Sequence, residues 1–180
     1  RALGEEVMRI IIGTGADVSV EDLGTVPDFV RESIDRLGVP GYKVLRWEPA
    51  DPTLYPPLSV AMTGTHDTEP LALWWESLTA EEQRRFGFES PVFDPGVRDG
   101  ILARVYHAGS NLVLLPIQDA FGWRDRINQP ATVNDTNWTY TLPWPVDQLA
   151  AQPDALECAD RLAEWSYQTG RWSPPPGTDG

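Results

Sequence analysis

Three polar pairs each follow a short apolar run. Glu21-Asp22 comes after residues 16–20, His66-Asp67 after residues 58–62, and Gln118-Asp119 after residues 111–117. Carboxylates held at strand ends can do glycosidic chemistry. One acid protonates the leaving oxygen, and other carboxylates stabilise or capture the oxocarbenium-like centre. The same residue types also cap helices and stabilise their positive ends. Glu21-Asp22 can therefore belong to the next turn, and Asp67 can be an N-cap. Other chemistries fit less well. His66, His107 and Cys158 are the only soft or borderline metal ligands, without HExxH or CxxC spacing, so neither a metal nor a cofactor is expected. No G-x-S-x-G elbow is present to make a serine nucleophile. Gly13-Thr14-Gly15 precedes a strand instead of joining a strand to a helix, so it fails as a nucleotide-binding turn.

Such pairs need elements that bring strand ends together. A helix is expected over 2–12, stopped by Gly13 and Gly15, then a strand over 16–20. Thr25 is the expected N-cap of a helix over 26–37, with Phe29, Val30, Ile34 and Leu37 on one face and Gly38 past its end. Strands are expected over 42–47 and 58–62, separated by a Pro-rich loop over 49–57. A helix over 68–78 follows, then a Thr79-x-x-Glu82 capping box and a helix from Asp94-Pro95 to His107. Residues 111–117 are almost continuously apolar, as a strand covered on both faces should be. Residues 128–145 read as a structured loop, 154–168 as an amphipathic helix ending at Gly170, and 173–180 as a disordered tail. This alternation indicates an α/β protein with a parallel sheet, either doubly wound or a run of (β/α) barrel units. In a barrel all strand C-termini open on one face, where active sites are built.

Composition narrows the partners. The 180 residues carry 14 Lys+Arg against 27 Asp+Glu, a formal net charge of −13, with 41% hydrophobic residues, so the chain is of ordinary globular type. By length it is one domain. The acidic balance argues against a phosphate-tracking nucleic-acid binder. No apolar run approaches the roughly 20 residues that span a bilayer, so no membrane partner is expected. The lone Cys158 makes an internal disulfide impossible and suits a reducing, cytoplasmic compartment. Eight Trp, at 47, 74, 75, 123, 138, 144, 165 and 172, could stack on sugar rings or fill packing sites. The chain starts Arg1-Ala2-Leu3, without an initiator Met, and reads either as processed or as a piece of something longer.

Three runs carry a family resemblance: VEDLGTVPDFVRESIDRLGVPGYKVLRWE (20–48), TGTHDTEPLALWW (63–75) and PIQDAFGWRDRINQPATVNDTNWTYTLP (116–143). In this order they resemble the 4-alpha-glucanotransferases, also called amylomaltases or disproportionating enzymes, over residue 4 to about residue 172. The resemblance implies a (β/α)8 barrel, with residues 1–172 supplying its C-terminal half, about strands five to eight, and a C-terminal loop and helix. It implies transfer of α-1,4-glucan segments to the 4-hydroxyl of another glucan or of glucose, with retention through a covalent glycosyl-enzyme. By motif, Glu21 matches the general acid/base and Asp67 the transition-state stabiliser. His66, Asp22, Asn128 of the R-x-N-x-P run and Trp138 of the N-W run match substrate-binding positions. The nucleophilic Asp belongs in a G-(F/Y)-R-(I/V)-D block, which this sequence lacks. It is expected before residue 1, which would leave the chain inactive alone. An amylase-type α-glucan hydrolase and a non-catalytic glucan-binding protein remain as alternatives.

Overall fold

The computed structural model describes residues 1–172, so the tail expected at 173–180 lies outside the described residues. The chain divides into two compact units. One holds Arg1–Met62 and Ala108–Leu114, and the other holds Thr63–His107 and the described residues from Leu115 on.

In the first unit, helix α1 (Ala2–Ile12) forms as its spacing predicts. Helix α2 (Asp28–Leu37) starts later than expected, because Pro27 and not Thr25 is its N-cap. A proline lacks the N–H and confines Val26 to extended backbone, so the helix cannot begin earlier. Gly38 ends it at φ +66°, a left-handed conformation that glycine adopts without steric cost. The buried Glu5 carboxylate ties the two helices. It accepts from Ser33 Oγ and Arg36 Nη1, each at 2.7 Å, and from Arg1 and Arg9, each at 3.2 Å. The Ser33 hydroxyl first, then the Arg1 and Arg36 guanidiniums, hold its pKa down to about 2.

Three strands, β1 (Gly41–Val44), β2 (Ser59–Met62) and β3 (Leu112–Val113), form a parallel sheet in the order β1-β2-β3. Tyr42 pairs with Val60, and Ala61 with Val113. The central strand β2 is buried throughout, and its Val60 and Met62 cluster with Val44 of β1, with Leu23 and Tyr42 packed against them. The expected strands are shorter in the structure. Of residues 16–20 only Val20 pairs, as a single parallel bridge to Gly41. In that register residues 16–19 fall opposite the end of α2 and Pro40, which has no N–H to donate to Val18, so the pairing cannot extend. β1 stops at Val44, where the N–H groups of Trp47 and Glu48 turn back to the Val44 carbonyl. The run 111–117 yields only β3, an edge strand with Leu112 and Leu114 about half exposed, not a strand covered on both faces. Pro116 ends it, having no N–H to pair and a φ that suits a helix start. Gly109 is needed for close approach: its N–H donates to the Pro52 carbonyl at 2.9 Å, and a Cβ there would lie 2.4 Å from the Tyr55 carbonyl oxygen.

The second unit is helical: α3 (Leu71–Ser77), α4 (Ala80–Arg85), α5 (Pro95–Tyr106), α6 (Ile117–Phe121) and α7 (Pro153–Gln168). Both sequence-read caps form. Thr79 and Glu82 make a reciprocal capping box, and Asp94 Oδ1 accepts the Val97 N–H at 2.9 Å. Helix α3 starts at Leu71 and not at Thr68, because Pro70 bars the preceding residue from helical backbone. Trp75 is fully buried, edge-on to Phe86 and Phe88, with its Nε1 donating to the Ser90 carbonyl. Helix α7 is held by Arg161 to Asp99 and by Cys158 to the Ala120 carbonyl. The loop expected at 128–145 is followed by a 3-10 helix at Val146–Ala151. Among the described residues no helix is long and apolar enough to cross a membrane.

Candidate active-site residues

The Thr63–Asp67 turn is built by its own side chains. Thr65 N–H donates to Thr68 Oγ1, Thr68 Oγ1 donates back to the Thr65 carbonyl, and Asp67 N–H donates to Thr65 Oγ1. Asp67 is therefore not the N-cap of α3. That place is taken from a distance by Asp119. Its Oδ1 accepts the Leu71 N–H at 2.6 Å, and its Oδ2 accepts from Thr63 Oγ1 at 2.5 Å, with the residue fully buried. The pair Gln118-Asp119 thus lies inside α6 and not past a strand, and Asp119 serves the fold.

Asp67 is left with its side chain 40% exposed. Its Oδ1 accepts from Asn128 Nδ2 at 2.7 Å and lies 3.4 Å from His66 Nε2. Its Oδ2 makes no hydrogen bond among the described residues. Asn128 is buried, and its N–H donates to the His66 carbonyl at 3.2 Å, so the two segments are joined through main chain as well as side chain. The Trp138 ring lies 5.3 Å from the His66 ring at an interplanar angle of 38°, and the residue is 65% exposed. Sequence reasoning named His66, Asp67, Asn128 and Trp138 separately, and the second unit brings all four together.

The loop that presents Trp138 is rigidly made. Asn134 Oδ1 accepts from the N–H groups of Thr136 and Asn137, and Asn137 Nδ2 donates to the carbonyls of Gln129 and Thr132. Trp138 itself has φ +64°, a left-handed conformation that costs a non-glycine residue about 1–3 kcal/mol and is typically kept where a side chain has a task. Burial pushes the nearby Tyr140 phenol up, and the Asp125 carboxylate adds to the shift. A residue missed from sequence is Arg126, which bonds to the main chains of both Asp67 and Asn128. Its only signal was its place two residues before Asn128 in the R-x-N-x-P run.

The first unit carries Glu21 and Asp22. Glu21 is exposed and makes no side-chain hydrogen bond among the described residues. It lies on the rim of a groove of about 390 Å³ whose walls include Met8, Val26, Phe29 and Ile34. Asp22 is committed differently. Oδ1 accepts the Tyr42 N–H at 2.8 Å, and Oδ2 meets Arg31 Nη1 at 3.3 Å. Gly41 permits this approach, since a Cβ there would lie 2.8 Å from the Asp22 carboxylate.

These parts have complementary chemistry. A carboxylate oxygen without a partner accepts from a hydroxyl, an imidazole can donate to one, and an exposed indole face packs on aliphatic C–H groups. That combination suits a polyhydroxylated ring with one apolar face.

Comparisons with known proteins identify a family. The family described as 4-alpha-glucanotransferase matches residues 1–147, a span that contains Glu21, Asp22, His66, Asp67, Asn128 and Trp138. The 4-alpha-glucanotransferase of Chlamydia caviae is 32% identical over 151 residues, 72% of this chain and 28% of that protein. The chloroplastic/amyloplastic 4-alpha-glucanotransferase of Solanum tuberosum is 26% identical over 159 residues, 83% of this chain and 27% of that protein. The amylomaltase of Streptococcus agalactiae, solved in complex with acarbose, superimposes with a TM-score of 0.68 at 22% identity, covering 85% of this chain and 32% of that one. That likeness is one of fold. The chain spans roughly 30% of the length of the curated relatives it matches.

Proposed function

The chain belongs to the 4-alpha-glucanotransferase family, and from that premise we propose that its residues serve transfer of α-1,4-glucan segments to the 4-hydroxyl of a second glucan or of glucose. One observation carries this best. Asp67, His66, Asn128 and Trp138 form one cluster whose free carboxylate oxygen and exposed indole suit a glucosyl ring. In the proposed roles Glu21 protonates the glycosidic oxygen as the bond from that oxygen to C1 breaks and a carboxylate nucleophile bonds to C1. Glu21 then takes the proton of the acceptor 4-hydroxyl, whose oxygen displaces that carboxylate, so one glycosidic bond is lost and one is formed. Asp67 stabilises the positive charge at the ring, and His66, Asn128, Trp138 and Asp22 bind or support the sugar.

The chain assayed alone is proposed to be inactive in transfer, because its sequence lacks the block that the resemblance assigns to the nucleophile. On the same premise residues 1–172 correspond to about strands five to eight of a (β/α)8 barrel, a reading supported by the all-parallel order β1-β2-β3. A cytoplasmic setting belongs to the proposal as well. It rests on the single Cys158, which leaves no internal disulfide to form.

Incubation of the purified chain with maltotriose tests both claims. The expected result is binding, seen as a change in Trp fluorescence, without release of glucose or appearance of longer oligomers. Turnover that Glu21→Gln abolishes would overturn the inactivity claim. Absence of any fluorescence response would overturn the glucan reading, and glucose release without longer products would identify a hydrolase.

A further inference from the structure

The Arg126 side chain lies among three acceptors on the two segments that make the Asp67 cluster. Nη2 donates to the Asp67 carbonyl at 2.8 Å, Nε to the Asn128 carbonyl at 2.7 Å, and Nη1 to Glu69 Oε1 at 3.1 Å. A guanidinium is planar and its donors keep fixed directions, so three bonds to one fork fix the acceptors relative to one another. Two of these acceptors are main-chain atoms of the residues whose side chains meet at Asp67 Oδ1. Its side chain is 28% exposed, which limits competition from water. Nearby in sequence, Arg124 donates through both terminal nitrogens to the Glu76 carboxylate and has no bond to His66, Asp67, Asn128 or Trp138. The same stretch therefore holds one arginine that fastens the site and one that fastens only the fold.

We propose that Arg126 is the positioning residue of the Asp67–Asn128 pair. It holds both main chains at the separation that keeps Asn128 Nδ2 on Asp67 Oδ1, and through that contact it sets the affinity of the cluster for a glucosyl unit. The affinity clause rests on the glucan reading above, and the positioning clause does not.

The test uses the whole 180-residue chain, labelled with nitrogen-15. One readout is the Asn128 side-chain amide without ligand, and the other is a titration with maltotriose followed at the Trp138 indole N–H. In Arg126→Gln the Asn128 amide moves to solvent-like shifts with fast hydrogen exchange. Maltotriose binding weakens about tenfold, the effect of one charge-assisted hydrogen bond. In Arg126→Lys the positive charge remains but the fork is lost, so both readouts fall between Arg126→Gln and the parent chain. In Arg124→Gln the melting temperature falls while the Asn128 amide and the affinity stay at parent values. The proposal is overturned if Arg126→Gln leaves the Asn128 amide unchanged, or if Arg124→Gln moves it equally. Should Arg126→Gln fail to give a dispersed spectrum, the Asn128 amide in Arg126→Lys decides the matter. A parent chain blind to maltotriose, with the amide still responding to Arg126, overturns the glucan reading and leaves the positioning role standing.

Discussion

Asn128 Nδ2 donates to Asp67 Oδ1 at 2.7 Å across a separation of 61 residues, and this bond defines the candidate site. It leaves the second oxygen of Asp67 for a ligand and holds the carboxylate in one orientation. Asn128→Asp puts a second carboxylate at bonding distance, so the pair repel. Maltotriose affinity should fall by about 2 kcal/mol or more, the range of a hydrogen bond to a charged group. Isothermal titration checks this, and unchanged affinity would remove Asn128 from the site.

Trp138 should separate stability from binding. Its φ of +64° favours glycine, so Trp138→Gly relieves backbone strain worth about 1 kcal/mol or more. The same change removes the exposed ring beside His66. Thermal unfolding should occur at the parent temperature or above it, while the maltotriose response is lost. A large drop in stability with intact binding would contradict both halves of the argument.

Asp119 should behave as a structural carboxylate. Fully buried, it accepts from the Leu71 N–H and from Thr63 Oγ1. Asp119→Ala removes both buried charge-assisted bonds and should lower stability by about 3 kcal/mol, read by urea denaturation. A loss under about 0.5 kcal/mol, typical of a surface change, would refute the role.

Acid should loosen the first unit through Glu5. Its pKa is about 2 in the folded chain against an ordinary 4.5, so folding favours the charged form. The stabilisation is complete above 4.5 and is lost as pH falls through that value toward 2. Urea midpoints measured across this window should fall more steeply for the parent than for Glu5→Gln. Parallel curves would show that Glu5 contributes nothing to the acid response.

What could be read from sequence was mostly local. The Thr79–Glu82 box and the Asp94-Pro95 helix start each depend on residues within one turn, and both form as expected. Strand lengths were overestimated because pairing is decided by a distant partner. The run ending at Val20 meets the end of α2 and Pro40, which has no N–H to pair, and Pro116 cuts the last strand short. The R-x-N-x-P run pointed to Asn128 but not to Arg126, whose bond to the Asp67 carbonyl joins residues 59 apart. Such a contact leaves no periodicity. Neither does the use of Asp119 as a remote cap, since an acidic residue after an apolar run looks the same whether it faces substrate or a buried N–H.

The bond from Tyr42 N–H to Asp22 closes a loop of 20 residues that contains all of α2. Glu21 is the residue just before that clasp, so its address is indexed to the register of β1 and not to the intervening helix. The stretch from Leu23 to Pro40 is nonetheless no idle spacer, because Arg31 grips the Asp22 carboxylate and Ser33 and Arg36 grip Glu5 of α1. A graft that replaced α2 would keep Glu21 in place only if it carried those three side chains and left Gly41 to admit the clasp.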